Sequence, residues 1–374
     1  MRIALVHDWL NQMGGAEGVL EDLVALFPSA PLYTSIYRAE VMPDRYRQWD
    51  IRTSWMDKLP LVKRYHQPFL PFYPLAFETL DLSGYDVVLS NKSGFCHGVI
   101  TPPETLHICY CLSPTRYVWR HHDYLRREGL GGVQGVALAP LLSLLRLWDR
   151  MAADRVDRFV SISSEIQRRV RKYYRRDSEL IYPPVDTSRF LPAVSHDDYY
   201  LVVGRQVPYK RIDIAVRACT ELGLPLKVAG SGRDRERLES MAGPTIEFHG
   251  WVPDDELPEL VARCRAFLFP GAEDFGIAPL EAMAAGRPVV AYAYGGALDT
   301  VVEGVTGTLF AQQTVESLID VLQRFDADAF EPLEIRRHAE QFDTVVFRQR
   351  MASFVAQAWE EHRHGVGPLL EGDT

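Results

Sequence analysis

Short runs of consecutive apolar residues alternate with longer segments whose apolar positions recur at helical spacing, and this rhythm holds along most of the chain. Residues 3–7 predict a strand, followed by a loop over 8–15 and a helix from about 16 to 26. Further strands are expected at 31–35, 87–91 and 106–111. A helix is expected over 146–158, a strand at 158–163 and a helix at 164–174. The segment IYPPVDTSRF, residues 181–190, carries Pro183-Pro184, which stiffens a connector and fits neither sheet nor helix interior. Alternation then restarts. Strands are expected at 200–204, 226–229, 246–249, 266–269, 288–292 and 308–309, with helices at 211–222, 234–242, 255–264 and 279–285. A long last helix is expected at 344–362. Strands alternating with helices argue for parallel α/β construction. The expected architecture is two doubly wound, Rossmann-like lobes with a cleft between them, where ligands bind at the carboxyl ends of strands. The lobes are drawn at 1–180 and 181–344, with a helix at about 345–365 packing back on the first.

Composition changes this picture little. At 374 residues the chain exceeds what one core usually supports. The longest apolar stretch, 135–145, is broken by Pro140 and too short to span a bilayer. The start MRIALVHDWL runs straight into a strand, without a cleavable signal pattern, which points to the cytoplasm. The 5 cysteines, Cys96, Cys109, Cys111, Cys219 and Cys264, lack metal-ligand spacing and read as buried thiols. Charge is uneven: residues 1–180 hold 23 Lys+Arg against 20 Asp+Glu, and the remainder 18 against 30. A mildly basic first half suits an anionic surface or acceptor, or simply a solvated exterior.

The densest chemistry lies in FPGAEDFGIAPLEAMAAGRPVVAY, residues 269–292. Glu273 and Glu281 flank Phe275, Gly276 and Ile277, where a loop is expected to feed a helix opened by Pro279 and closed by Gly286. A helix start offers free N–H groups and the positive end of a dipole, which favours a phosphate. A carboxylate on either side could hold hydroxyls of the two sugars flanking a diphosphate. In VVGRQVPYKR, residues 202–211, Gly204 ends a strand, Arg205 follows, and Lys210 and Arg211 arrive at the next helix. Arg205 and Lys210 are expected to clamp the diphosphate, with Arg211 facing solvent. Gly230 and Gly232 in GSGRDRERL form a strand-to-helix turn of the kind that cradles a nucleotide, though the pattern is common. Trp251 and Val252 fit either a base laid against apolar surface or a loop capped by Asp254 or Asp255.

In the first half, Gly14-Gly15 lie between strand and helix, where the backbone could approach a phosphate or sugar. His7 and Asp8 at that strand's end either line the cleft or serve the structure. Asn91, Ser93, His97, Ser113 and Arg116 are candidates for sugar or acceptor contacts, beside Tyr117, Trp119, His121 and His122. Residues 55–77 interleave Lys58, Lys63 and Arg64 with aromatics and prolines, a mixture that suits either a lipid interface or an internally packed excursion. The lone Asp-x-Asp, Asp326-Ala327-Asp328, follows a helical pattern and reads as a solvated turn, so no metal is expected.

The order of the GG loop, PPVD, GR…YKR, GSG, GWV and EDFGIAPLEAMAAGRPVVA resembles glycosyltransferase family 4, retaining enzymes of the GT-B fold. The opening HDWL…GGAE, YCLSPTRYVW and VVEGVTGTLF are similar to bacterial polysaccharide and O-antigen mannosyltransferases that use GDP-mannose. The resemblance implies that Glu273 contacts donor-sugar hydroxyls, Glu281 the ribose, and Arg205 and Lys210 the diphosphate. It brings Gly14 and Gly15 near the phosphates and implies a last helix crossing back onto the first lobe. It also implies a nucleotide-sugar donor without cofactor or metal, a lipid-linked or oligosaccharide acceptor, peripheral contact with the inner membrane, and no nucleic acid. Many relatives carry a His just after the strand at 87–91, where this chain has Asn91, Lys92 and Ser93, with His97 four positions on. A UDP-sugar transferase, a sugar-nucleotide epimerase and a silent nucleotide-sugar-binding module are the competing readings.

Overall fold

The computed structural model describes residues 1–119 and 133–365, the side chains of 133–138 excepted. His121 and His122 lie outside the described residues. The chain forms two compact units, one of Met1–Tyr182 with Phe347–Thr374 and one of Pro183–Val346.

The first unit is built on a seven-stranded sheet in the order β3-β2-β1-β4-β5-β6-β7. Its strands are β1 (Ile3–His7), β2 (Leu32–Thr34), β3 (Ile51–Thr53), β4 (Val87–Lys92), β5 (Leu106–Cys111), β6 (Arg158–Ser161) and β7 (Ser178–Leu180). Every pairing is parallel. Every residue of β4 and β5 is buried, the polar Ser90, Asn91, Lys92 and His107 included, so only Val87–Leu89 forms an unbroken apolar run at the start of β4. Strand order reverses between β1 and β4, and there His7 stands opposite Asn91.

Asp8 fastens that junction. Its Oδ2 accepts the amide N–H groups of Ser93 and Gly94, and its Oδ1 those of Phe95 and Cys96, at 2.6–2.8 Å. A buried carboxylate spread over four backbone donors is a structural device, and it holds the chain leaving β4 against the chain leaving β1.

Departures from the expected elements have local causes. The edge strands β3 and β7 are three residues long and partly exposed, so no apolar run announces them. The helix expected over 146–158 spans Val133–Asp154, running through Pro140. The helix expected over 164–174 is α-helical only over Ser164–Arg169 and continues as a π-turn over Val170–Tyr174, ended by Arg175 at φ 57°. The last helix, Thr344–Gly365, packs on this sheet: Phe347 meets Tyr110 edge-on at 5.7 Å, and Arg348 pairs with Asp22 at 2.6 Å.

The second unit holds a six-stranded parallel sheet in the order β10-β9-β8-β11-β12-β13. Its strands are β8 (Tyr200–Val203), β9 (Leu226–Ala229), β10 (Ile246–Gly250), β11 (Ala266–Phe269), β12 (Val289–Tyr292) and β13 (Gly307–Phe310). The amphipathic helices Ile212–Leu222 and Val315–Leu322 cover one face, joining Ile214, Val216, Leu318 and Leu322 to the strand residues Tyr200, Val228 and Leu268 in one core. Helix Pro332–Ala339 is too polar to be read from periodicity. Arg336 anchors it by donating to the carbonyls of Phe190 and Ala284.

Candidate functional site

Strand order in the second sheet reverses between β8 and β11, so the loops leaving those two strands diverge and leave a crevice at their carboxyl ends. Glycines let the neighbouring turns crowd it. A Cβ on Gly230, which sits at φ +112°, would stand 2.1 Å from the Gly204 carbonyl oxygen, and one on Gly232 would stand 2.2 Å from that of Gln206. The loop after β8 and the turn after β9 are also laced by hydrogen bonds, from the Gln206 amide to Ser231 at 2.9 Å and from Gln206 Nε2 to Gly230 at 2.8 Å. These contacts give the loop carrying Arg205 and Lys210 a fixed base.

Lys210 ends a short 3-10 turn, and its Nζ lies 2.9 Å from Glu273 Oε1. It crosses above Gly204, where a Cβ would stand 3.1 Å from Nζ. Both partners keep about a fifth of their side-chain surface, 19% and 20%, so the pair is open to a ligand. Arg205 is exposed, with Nη2 3.5 Å from the Tyr209 hydroxyl and no carboxylate partner among the described residues. Arg211 adopts φ 52° and turns its guanidinium onto Asp213 at 3.1 Å. The positive charges at this helix start thus split: Arg211 and Lys210 each have a carboxylate partner, while Arg205 faces solvent.

Glu273 is held by its backbone. Its carbonyl accepts the Gly296 amide at 3.1 Å, and a Cβ on Gly295 would stand 2.1 Å from that same oxygen. Gly276, at φ +99°, starts the next helix with the Phe269 ring only 2.6 Å from where its Cβ would be. That helix spans Ile277–Ala284 and has no side-chain cap, so its first amides stay available. Pro279 therefore lies inside the first turn and does not open it. Glu281 falls in the second turn, a correction to the expected placement, because Gly276 takes the cap position three residues before Pro279. Phe275 is buried against Phe342 at 6.2 Å and serves packing.

Glu281 keeps a little solvent access yet is surrounded by protein. Burial pushes its carboxyl up from 4.5 to about 7; Arg189 and Lys210 work against the rise and Asp254 adds to it. Arg189 is itself tied to this corner, donating to the Asp254 carbonyl at 3.1 Å. Arg189 was not among the expected site residues, and Asp254 was expected only as a possible cap of the next helix, whose cap position Glu256 takes. Arg189 sits in the proline-rich connector, where nothing in the pattern marks it. Trp251 follows β10 and is 71% exposed, with Val252 partly buried.

In the first unit the candidates separate. Gly14 and Gly15 are exposed at the start of helix Gly15–Leu26. Asn91 is buried at the end of β4, its Nδ2 donating to the Ala16 carbonyl at 2.9 Å. Ser93 donates its amide and hydroxyl to Asp8. His97 has no exposed surface; it lies against Trp148 and Tyr174, with Nε2 3.2 Å from the Asp149 carbonyl. Ser113 is 1% exposed and donates to the Pro114 carbonyl. His97 and Ser113 are therefore packing positions, a correction to their reading as sugar contacts. Arg116 is exposed on a short helix, Arg116–Trp119.

Lys92, to which the sequence gives no role, is wholly buried. Its Nζ donates to the Ser113 carbonyl at 3.0 Å and the Thr115 hydroxyl at 3.1 Å, over the Tyr174 ring. Burial alone would lower its pKa, but Asp149, followed by Cys111, Cys109 and Asp8, outweighs that and raises it. Asp149 in turn accepts from Thr115, Trp119 and Tyr174. A lone Lys after a strand gives no sign of this role.

No group of three or more His, Cys, Asp or Glu side chains among the described residues is placed to hold a metal ion. Asp326 accepts the Asp328 amide at 3.1 Å within a turn.

Residues 186–342 match the family described as glycosyl transferases group 1, and residues 13–189 match glycosyltransferase family 4. A curated relative from Mycolicibacterium smegmatis, a GDP-mannose-dependent alpha-(1-6)-phosphatidylinositol monomannoside mannosyltransferase, is 34% identical over 180 residues, 40% of this chain and 47% of that one. A D-inositol 3-phosphate glycosyltransferase from Mycobacterium avium is 30% identical over 223 residues, 52% of this chain and 53% of that one. The chain spans about half the length of these curated relatives. Among solved structures, Anabaena HepE in complex with UDP matches with a TM-score of 0.72, covering 96% of this chain and 100% of that one; at 18% identity this likeness speaks to the fold.

Proposed function

The chain belongs to glycosyltransferase family 4, which residues 13–189 match, with residues 186–342 matching glycosyl transferases group 1, and on that premise we propose a retaining hexosyl transfer. The donor is a nucleotide sugar, GDP-mannose in the first instance, and the product carries α-mannose. The acceptor is a lipid-linked or oligosaccharide chain of a bacterial surface polysaccharide. GDP-mannose is favoured because a relative at 34% identity is GDP-mannose-dependent.

The observation that carries the reading is the ion pair of Lys210 with Glu273 at the reversal of strand order, beside an exposed Arg205 and an uncapped helix start at Gly276. A diphosphate arriving there finds two cations and free amides, the arrangement that stabilises charge developing on a leaving group. Glu273, freed from part of its bond with Lys210, is placed to accept hydroxyls of the transferred hexose. Glu281 accepts from the ribose and Trp251 offers an apolar face to the base. In the transfer step the bond from the anomeric carbon to the leaving phosphate oxygen breaks as the acceptor oxygen bonds to that carbon on the same face. The departing phosphate takes the acceptor proton. Neutralisation of the diphosphate by Arg205 and Lys210, without a resident metal, is part of the proposal.

Cytoplasmic residence with peripheral membrane contact belongs to the same proposal. Segment 55–77 puts Met56, Val62, Tyr73 and Phe77 into the core while leaving Leu61, Tyr65, Phe72 and Leu75 about half exposed or more, near Lys58 and Arg64. No helix among the described residues is long and apolar enough to cross a membrane.

The test is release of nucleoside diphosphate from GDP-mannose with and without a lipid-linked oligosaccharide acceptor. Acceptor-dependent release of GDP supports the reading. Release from UDP-sugars alone would overturn the mannose assignment, and sugar conversion without an acceptor would overturn transfer.

A further inference from the structure

The Glu281 carboxyl stands alone in the second unit. Protein surrounds it, yet among the described residues it has no hydrogen-bond or ion-pair partner. A half-buried acid without partners is costly unless a ligand supplies them. Burial pushes it up to about 7, so near neutral pH it carries a proton about half the time. Ribose hydroxyls donate best to a carboxylate that has lost that proton.

Three elements bring charge to this carboxyl. Arg189 from the connector, then Lys210 from the turn after β8, oppose the rise, and Asp254 from the loop after β10 adds to it. Lys210 is already paired with Glu273. Other charged groups on the elements packed against helix Ile277–Ala284 are engaged elsewhere. Arg336 is taken up by Glu340 at 3.1 Å and by backbone carbonyls, His338 by the Thr300 carbonyl, and Glu259 by Arg263 at 3.9 Å. Asp186 accepts from Ser188, and Glu334 and Arg337 are exposed. Arg189 is thus the cation that bears most on Glu281.

The fold fixes where Arg189 stands. Its turn, Thr187–Arg189, packs on helix Ile277–Ala284. Arg336 donates to the Phe190 carbonyl at 2.6 Å and to the Ala284 carbonyl at 2.7 Å, which ties the residue after Arg189 to the end of the helix that carries Glu281. The Arg189 guanidinium lies 5.6 Å from the centre of the buried Phe190 ring. From there Nη2 donates to the Asp254 carbonyl at 3.1 Å, three residues beyond Trp251. Arg189 therefore spans from the helix of Glu281 to the loop of Trp251. That bond uses the Asp254 backbone and leaves the aspartate's own charge to oppose the arginine's.

We propose that Arg189 is a positioning residue of the nucleotide site, bracing the loop of Trp251 and supplying the charge beside which Glu281 gives up its proton to solvent as ribose hydroxyls bind. Asp254 sets the opposite bias. The proposal rests on the glycosyl-transfer reading, in which Glu281 takes the ribose, and adds that the grip on the ribose is set from the proline-rich connector.

The experiment titrates GDP into the full chain by calorimetry between about pH 6 and pH 8.5, for wild type, Arg189→Met, Arg189→Lys and Asp254→Asn. Both positions are exposed, so melting temperatures should stay near wild type. Ratios to wild type remove the ionisation of GDP itself. Arg189→Met should bind roughly fivefold more weakly than wild type near pH 7, narrowing to within about twofold at pH 8.5. Arg189→Lys keeps the charge and should stay within about twofold throughout. Asp254→Asn, whose carbonyl still holds Arg189, should bind more tightly than wild type near pH 7. With 2′,3′-dideoxy-GDP, which lacks the hydroxyls, these ratios should no longer change with pH. A deficit in Arg189→Met that is constant across pH would show a bracing role alone and overturn the proposal, as would equal responses with dideoxy-GDP. Were Arg189→Met to unfold, Asp254→Asn decides: unchanged or weaker binding overturns the proposal. A wild-type chain that binds no nucleoside diphosphate would overturn the transfer reading first, before any variant is compared.

Discussion

The ammonium of Lys210 lies 2.9 Å from the carboxylate of Glu273, and the pair bridges the point where strand order in the second sheet turns from β8 to β11. A partly exposed ion pair contributes little to stability, since solvent screens it and two side chains must be held. Its value lies in placement. The lysine is stretched over Gly204 before any ligand arrives, so an anion entering the crevice meets a cation already in position.

Lys210→Ala should therefore lower kcat by about 10²–10³, as loss of a donor to a developing charge does, while donor affinity falls less than roughly tenfold. Single-turnover kinetics with separately measured donor binding would check this. Equal losses in both quantities would show that Lys210 binds the ground state as strongly as the transition state.

Glu281 makes stability depend on pH. Its carboxyl is pushed from 4.5 to about 7 in the folded chain, so folding favours the protonated form. Stability from this group is fully present below 4.5 and is lost as pH rises through about 7. Glu281→Gln should match wild type near pH 4.5 and exceed it on the order of 2 kcal/mol above pH 7. Urea unfolding of both proteins across that range tests it; a gap that does not grow with pH would contradict it.

Asp8 should be a stability residue. Removing a buried carboxylate that four backbone amides share leaves those donors without partners, and Asp8→Ala should cost on the order of 3 kcal/mol or prevent folding. Denaturant unfolding measures the loss. A change below about 0.5 kcal/mol would mean that water satisfies those amides.

Leu61 and Leu75, 69% and 53% exposed, test the membrane face. Leu61→Glu with Leu75→Glu should reduce sedimentation with vesicles of anionic lipid by roughly tenfold or more and leave melting unchanged. Equal sedimentation would place the contact elsewhere.

Much of this was legible in the chain because parallel strands buried on both faces favour apolar residues, and β8, β11 and the first half of β4 consist of them. The spacing of Glu273 and Glu281 with Gly276 between them also survives into the structure, since only glycine fits against Phe269 at φ +99°. What was not legible depended on partners distant in sequence. Lys92 reads as a surface lysine until Ser113, Thr115 and Asp149 close around it. His97 looks like a ligand-binding histidine until Trp148 and Tyr174 cover it. The edge strands β3 and β7 and the polar helix Pro332–Ala339 are held by pairing and by Arg336, so they leave no periodic trace.

The central claim is that Arg205 and Lys210 hold the diphosphate of a nucleotide sugar at the β8–β11 crevice. Titration calorimetry of GDP and UDP into the wild-type chain and into the Arg205→Ala, Lys210→Ala double variant tests it most directly. Saturable binding by wild type, weakened at least roughly a hundredfold in the double variant, is the predicted result. Wild type that binds neither nucleotide, or a double variant that binds as tightly as wild type, would contradict it.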